Sequence, residues 1–222
     1  MDQLFTVFLL HKKIITRWLV YWLSVFGIYV LILKPNGINY LNGYYYTSAL
    51  FFLGGVFGLI LFRFKFKKEM FFQSSFGVFT VIFLYSFMAL GFDYLYPASP
   101  ELLSFTFKNN ILFPLFNYQT IISKACDIFF QQTLIYILTM LLFSKIQDKS
   151  LTIKLFGLCF FILHLPLLFV FGATGLLFIV PSIVAGLVFS FCLLQFKMGI
   201  LYSYAIHFSF YLFLGIILRF YF

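Results

Sequence analysis

Hydrophobic positions along the chain fall into long uninterrupted runs that short polar segments separate. A helix needs about 20 apolar residues to cross the hydrocarbon core of a bilayer. The runs do not alternate apolar with polar residues, as the strands of a membrane β-barrel do. Each run is therefore predicted to be a helix, whose backbone hydrogen bonds are satisfied within the segment. Seven spans can be placed in this way, at approximately 14–33, 44–62, 71–91, 118–143, 153–171, 176–195 and 199–219.

The segments between the runs are short, with one exception. The stretch FDYLYPASPELLSFTFKNN follows the third span and is long enough to contain a helix of its own. We expect a single transmembrane domain, in which residues 1–117 form the N-terminal spans and an outer loop. Residues 118–222 then form the part that carries the candidate site. Gly54 and Gly58 have the GxxxG spacing that lets two helices approach closely.

Composition strengthens the membrane interpretation. Of the 222 residues, 64% are hydrophobic, only 9% are charged and 37 are Phe. A soluble domain of this size does not have enough charged residues to cover so much apolar surface. The predicted fold class is therefore all-α, a polytopic transmembrane helical bundle. Cys126, Cys159 and Cys192 all lie inside apolar runs, where a cysteine usually acts as a small buried hydrophobic residue.

The net charge of +9 does not indicate a nucleic-acid partner, because the basic residues are scattered among short loops. Lys and Arg beside membrane spans instead indicate orientation and contact with anionic lipids. An inside N-terminus puts eleven of the 15 basic residues on the inner side, which favours this orientation and an outer C-terminus. We expect an integral protein of the inner (cytoplasmic) cell membrane, with membrane lipids as partners. The four cations assigned to outer segments are Lys34, Lys108, Lys124 and Arg219.

Ionisable residues within spans are costly and usually face the bundle interior, so they are candidates for function. Three stand out here: Asp127, His164 and His207. At a rise of about 1.5 Å per residue, His164 lies roughly 16 Å and His207 roughly 12 Å from the predicted inner face. Asp127 lies roughly 14 Å from the outer face, and so roughly 16 Å from the inner face of a core of about 30 Å.

The three side chains are therefore expected to meet at one level. One carboxylate and two imidazoles form a common set of zinc ligands that leaves a position open for water. Two other interpretations remain open. The same groups can form a hydrogen-bonded network that only joins helices, or a proton relay in a small transporter.

Three motifs in the second half of the chain resemble those of a known family. FFILH supplies an FxxxH pattern ending at His164, and the run Gly186–Leu212 carries a lone His207 in its last helix. CDIFFQQT, with Asp127, precedes His164 by 37 residues. In their order and spacing these motifs resemble the CAAX protease and bacteriocin-processing (CPBP) family of intramembrane metalloproteases.

The resemblance implies Zn²⁺ bound by His164 and His207, with Asp127 as a third ligand or as the general base for a water. In such a site Gln132 or Tyr211 is expected to donate a hydrogen bond to the developing oxyanion, or to orient a ligand. The substrate would be a membrane-embedded or lipid-anchored peptide, which makes a membrane-anchored peptide or protein the expected partner.

The chain departs from the family pattern at several positions. In one register Ile128 and Gln132 replace the second Glu and the Arg of EExxxR; in the other, Cys126 and Gln131 replace the first Glu and the Arg. Tyr211 replaces the Asn of HxxxN. The alternative to a protease is therefore a catalytically inactive protein on the same scaffold that binds partner helices.

Overall fold

A computed structural model of the chain describes residues 2–63, 68–109 and 111–222, with side chains from residue 5 onwards and, in the third helix, from residue 76. The described residues form helices and turns and contain no strand. The helices are α1 (Asp2–Ile28), α2 (Tyr44–Leu61), α3 (Lys68–Leu95), α4 (Pro100–Asn109), α5 (Tyr118–Ile146), α6 (Lys149–His164), α7 (Leu167–Phe171), α8 (Leu176–Gln195) and α9 (Gly199–Tyr221).

Six stretches of the described chain are long and apolar enough to cross a membrane. One of them, Lys149–Gln195, contains α6, α7 and α8. The helices α6 and α8 pack extensively against each other, with Gly186 of α8 against Phe160 and Gly157 of α6. The stretch therefore folds back on itself. The prediction of an all-α polytopic bundle is confirmed, and the chain is an integral membrane protein.

Helix α5 lies at the centre of the bundle. In its most apolar window 72% of the residues are buried, against 11% for the corresponding window of α3. Helices α1, α2, α3, α6, α8 and α9 all pack against it. The N-cap of the helix is Asn117, whose side chain accepts a hydrogen bond from the Thr120 backbone N–H. A polar side chain on α5 is therefore held inside protein rather than exposed to lipid.

Glycines of α2 allow its close contact with α5. A Cβ atom built on Gly54 would lie 3.2 Å from the ring of Phe130, and one on Gly58 would lie 3.1 Å from Leu134. Such distances leave little room for a larger side chain, so the GxxxG prediction of a close helix contact is confirmed. The contacts advance from Phe130 to Leu134 on α5 as they advance from Gly54 to Gly58 on α2, so the two helices run parallel.

Several helix boundaries differ from the predicted ones. Helix α1 begins at Asp2, and after Ile28 it continues through a π-helical turn, Tyr29–Leu33, and a 3₁₀ turn, Lys34–Asn36. The fifth predicted span is interrupted, because α6 ends at His164 and Pro166 follows. Proline cannot donate the backbone hydrogen bond that would continue the helix. The helix predicted in the polar segment after the third span is present as α4.

Two of the cations assigned to outer segments are buried in spanning helices instead, which corrects that part of the charge assignment. Lys124 is only 7% exposed within α5, and the Arg219 side chain is buried in the last turn of α9. Both are paired with carboxylates, Lys124 with Asp127 and Arg219 with Asp93, which compensates the charge of each. The inner cations Lys65 and Lys67 lie outside the described residues.

Candidate functional site

Asp127 lies on the buried face of α5 and accepts three hydrogen bonds. Its Oδ2 atom is 2.7 Å from Lys124 Nζ and 3.0 Å from the hydroxyl of Tyr40. Its Oδ1 atom is 2.7 Å from Gln131 Nε2. Lys124 and Gln131 are three residues before and four residues after Asp127, so one face of the helix presents all three side chains. The carboxylate is thus enclosed by its own helix and by the loop between α1 and α2.

Aromatic rings complete this enclosure. Lys124 Nζ lies 4.1 Å from the ring centre of Tyr211 and 4.9 Å from that of Tyr40, distances at which a cation is attracted to a ring face. Burial, and then the nearby Asp127 carboxylate, hold the pKa of Tyr40 well above its ordinary value. Its phenol therefore keeps its proton and donates a hydrogen bond to Asp127. The ion pair is solvated by aromatic and hydroxyl groups in place of water.

His207 belongs to a separate hydrogen-bonded group between α5 and α9. Its Nδ1 atom is 2.9 Å from Gln132 Nε2, while Gln132 Oε1 accepts from the Ser203 hydroxyl at 2.7 Å. Because Ser203 fixes the amide with its oxygen towards the hydroxyl, the amide nitrogen faces the imidazole. An amide nitrogen only donates, so Nδ1 accepts and the neutral ring carries its proton on Nε2.

His164 has the opposite arrangement. Its Nδ1 atom lies 2.7 Å from the backbone carbonyl of Phe160, one turn earlier in α6. A carbonyl only accepts, so Nδ1 carries the proton and Nε2 of the neutral ring presents a lone pair. The two histidines therefore offer complementary nitrogens, an N–H donor from His207 and an acceptor from His164.

Two cavities adjoin these groups. The first cavity, of about 310 Å³, lies between α1, the loop after it, α5, α7 and α9, and its lining includes Gly27, Lys34, Tyr40, Asp127, His164 and Tyr211. The second cavity, of about 360 Å³, lies between α6, α8 and α9, and its lining includes Phe160, His164, Phe189, His207 and Tyr211. Gln131, His164, Phe178 and Tyr211 line both cavities, so the two adjoin.

The structure thus places the predicted residues around two adjoining spaces rather than at one point. Asp127 lines the first cavity, His207 the second and His164 both. Gln132 is hydrogen-bonded to His207, and Gln131 is the glutamine that is hydrogen-bonded to Asp127.

Sequence reasoning missed Lys124 and Tyr40. The spacing of three residues between Lys124 and Asp127 was a signal for an ion pair on one helix face. Tyr40 carried no such signal, because it comes from a loop 87 residues away from Asp127 in the chain. The site consequently draws on the N-terminal part of the chain as well as on 118–222.

In the described part of the chain, no group of three or more His, Cys, Asp or Glu side chains is arranged to hold a metal ion. Asp127 is engaged on both oxygens, and the unprotonated nitrogen of His207 is engaged by Gln132. This arrangement does not fit a three-ligand zinc centre made of Asp127, His164 and His207. Zinc binding stays a prediction from the family resemblance.

Comparison with known proteins adds no relative: no protein-family model, curated protein or solved structure matches the chain. The geometry of the two cavities is therefore what indicates a function.

Proposed function

We propose that the protein binds lipid-anchored or membrane-embedded peptides within the cell's inner membrane and holds them without hydrolysing them. The hydrogen bonds that the Asp127 carboxylate accepts are the observation that supports this proposal most. Hydrogen bonds from Lys124, Tyr40 and Gln131 engage both oxygens of the Asp127 carboxylate, and the Lys124 ammonium neutralises its charge. A general base has to bind the water it activates and accept its proton. Because donors of the protein itself already hold both oxygens, we assign Asp127 a structural role.

The two histidines support peptide binding. A peptide group presents one carbonyl acceptor and one N–H donor, and membrane interiors offer no water to satisfy them. His207 Nε2–H is a donor for the carbonyl and His164 Nε2 is an acceptor for the N–H. Both side chains line the second cavity, while the largely apolar first cavity beside it has room for a lipid chain.

Peptide hydrolysis is the second candidate function. It is favoured by His164, which presents an unprotonated nitrogen and lines both cavities. A nitrogen of this kind is suited to accept a proton from a nucleophile. Under this candidate, His164 Nε2 would take the proton of the water that attacks the peptide carbonyl.

A cavity-filling variant tests the binding function. Gly27 lines the first cavity, and a Cβ atom there would meet nothing within 4 Å, so Gly27→Phe places a ring in open space. Gly91 of α3 is equally open but does not line either cavity, so Gly91→Phe is the matched control. The assay is photo-crosslinking of an acylated peptide to the purified protein in lipid nanodiscs, followed by mass spectrometry of the peptide.

We expect intact peptide throughout, with crosslinking about tenfold weaker for Gly27→Phe, a loss of about 1.4 kcal/mol of binding free energy. The Gly91→Phe control should match the wild type. Equal crosslinking of all three proteins would contradict binding in the first cavity. Cleaved peptide that accumulates with time, and that disappears in His164→Ala, would replace the binding function by hydrolysis.

A further inference from the structure

The first cavity contains one positive charge that no carboxylate among the described side chains compensates. Its charged lining residues are Lys34, Lys124 and Asp127. Lys124 and Asp127 neutralise each other at 2.7 Å. In the ranges that the structure describes, Lys34 forms no ion pair with any carboxylate.

Lys34 lines this cavity at the point where the regular helix α1 has ended. A π-helical turn, Tyr29–Leu33, separates it from the regular part of α1, and such turns change the direction in which following side chains point. Lys34 is half-buried, and its Nζ lies 5.3 Å from the ring centre of Phe171 in α7. The ammonium is therefore held between α1 and α7, with the mostly apolar lining of the cavity beside it.

We propose that Lys34 binds the carboxylate of a ligand whose single apolar chain occupies the first cavity. This proposal rests on the binding function proposed above, because the ligand's chain uses the space proposed there for the lipid chain; it adds a free carboxylate as the head group that this space selects. Membrane lipid is as apolar as the cavity wall, so burial of the chain discriminates little between ligands. The charged head group therefore decides which ligand is selected.

The size and charge of the cavity favour a carboxylate on a single chain. A volume of about 310 Å³ is at the small end for ligand cavities, which typically begin at about 300 Å³. One uncompensated ammonium matches one negative charge, whereas a phosphate monoester carries about −1.5 to −2 near neutral pH. A carboxylate on one acyl or alkyl chain satisfies both conditions.

Palmitic acid and its neutral amide are suitable probes, because they share the chain and differ in charge. Equilibrium binding of the two labelled compounds is measured on the protein in nanodiscs of neutral lipid, at a pH where the acid is ionised. The wild type is expected to prefer the acid by on the order of tenfold, the effect of one charge-assisted hydrogen bond. Lys34→Gln should lose the preference, and Lys34→Arg should keep it.

Two further variants sharpen the test. Lys108 is an exposed lysine of α4 that lines neither cavity, so Lys108→Gln is the matched control and should keep the preference. Lys34→Glu should reverse the preference, so that hexadecylamine binds better than palmitic acid. A stronger preference for a single-chain phosphate than for palmitic acid would overturn the choice of a carboxylate.

The outcomes separate this inference from the binding function. If Gly27→Phe weakens the binding of acid and amide alike while Lys34→Gln retains the preference for the acid, the role of Lys34 is wrong and the cavity function stands. If Gly27→Phe binds both probes as the wild type does, the cavity function is wrong, and the inference with it.

Discussion

At the scale of single residues, the buried pair Lys124–Asp127 is the most consequential feature. Neither residue is more than 7% exposed. Asp127 also accepts hydrogen bonds from Tyr40, in the loop between α1 and α2, and from Gln131 on α5. Burying two charges gains little net free energy, but removing one partner leaves the other uncompensated at a cost of about 3–5 kcal/mol.

Asp127→Asn is therefore expected to lower the free energy of unfolding by about 3–5 kcal/mol, because it leaves the Lys124 ammonium buried without an anion. The double variant Asp127→Asn, Lys124→Met should recover most of that loss. Both are measured by equilibrium unfolding in mixed micelles. A double variant no more stable than Asp127→Asn would show that the ion pair is not what Asp127 contributes.

The proton positions on the two histidines are a second prediction at this scale. Gln132→Glu puts a carboxylate, which only accepts, beside His207 Nδ1, and should move the ring proton from Nε2 to Nδ1. ¹⁵N NMR of labelled histidine distinguishes the two tautomers. The His164 signal is the internal control and should keep its proton on Nδ1, facing Phe160. Peptide binding should weaken as the donor is lost; a His207 proton already on Nδ1 in the wild type would contradict the proposed roles.

At the scale of helices, small residues determine which pairs approach closely. A Cβ atom on Gly186 would lie 2.9 Å from Phe160 Cβ and 3.0 Å from Gly157 Cα, where backbone has to move. Gly186→Ala is therefore expected to destabilise the protein by about 1–3 kcal/mol through overpacking between α6 and α8. Unfolding of Gly91→Ala is the comparison: its Cβ meets nothing within 4 Å, and alanine favours a helix over glycine. Equal stability of the two variants would contradict a tight α6–α8 contact.

The helices could largely be predicted from the sequence, because run length alone specifies a membrane span. The sixth predicted span, at 176–195, coincides with α8. Run length does not reveal which polar residues a bundle buries, and so Lys124 was assigned to an outer segment. The cation is buried because Asp127 lies one turn further along the same helix. Depth along a span placed the three candidate side chains at one level, but His207 is hydrogen-bonded to Gln132, which lies about 7.5 Å further along α5 than Asp127.

At the scale of the whole molecule, hydrogen bonds between distant elements establish which helix ends share a face of the bundle. The Ser99 hydroxyl, after α3, donates to the carbonyl of Phe222 at 3.1 Å, and Arg219 of α9 donates to Asp93 of α3. The ends of α3 and α9 therefore lie together. Lys149 Nζ donates to Gln195 Oε1 at 3.1 Å, which places the start of α6 beside the end of α8.

These pairings indicate that α6 with α7 and α8 are separate passes. We therefore expect the described helices to cross the membrane seven times, with the start of α1 and the end of α9 on opposite faces. The distribution of Lys and Arg predicts that the N-terminus is inside.

Cysteines introduced one at a time test this arrangement. One replaces Asn42, in the loop between α1 and α2, and the other replaces Lys197, between α8 and α9; both positions are exposed. In right-side-out vesicles an impermeant thiol reagent should label Asn42→Cys and not Lys197→Cys, with the wild type as background because its three cysteines lie within helices. Labelling of Lys197→Cys alone would invert the orientation and place Lys34 on the inner face; labelling of both would contradict the seven-pass arrangement itself.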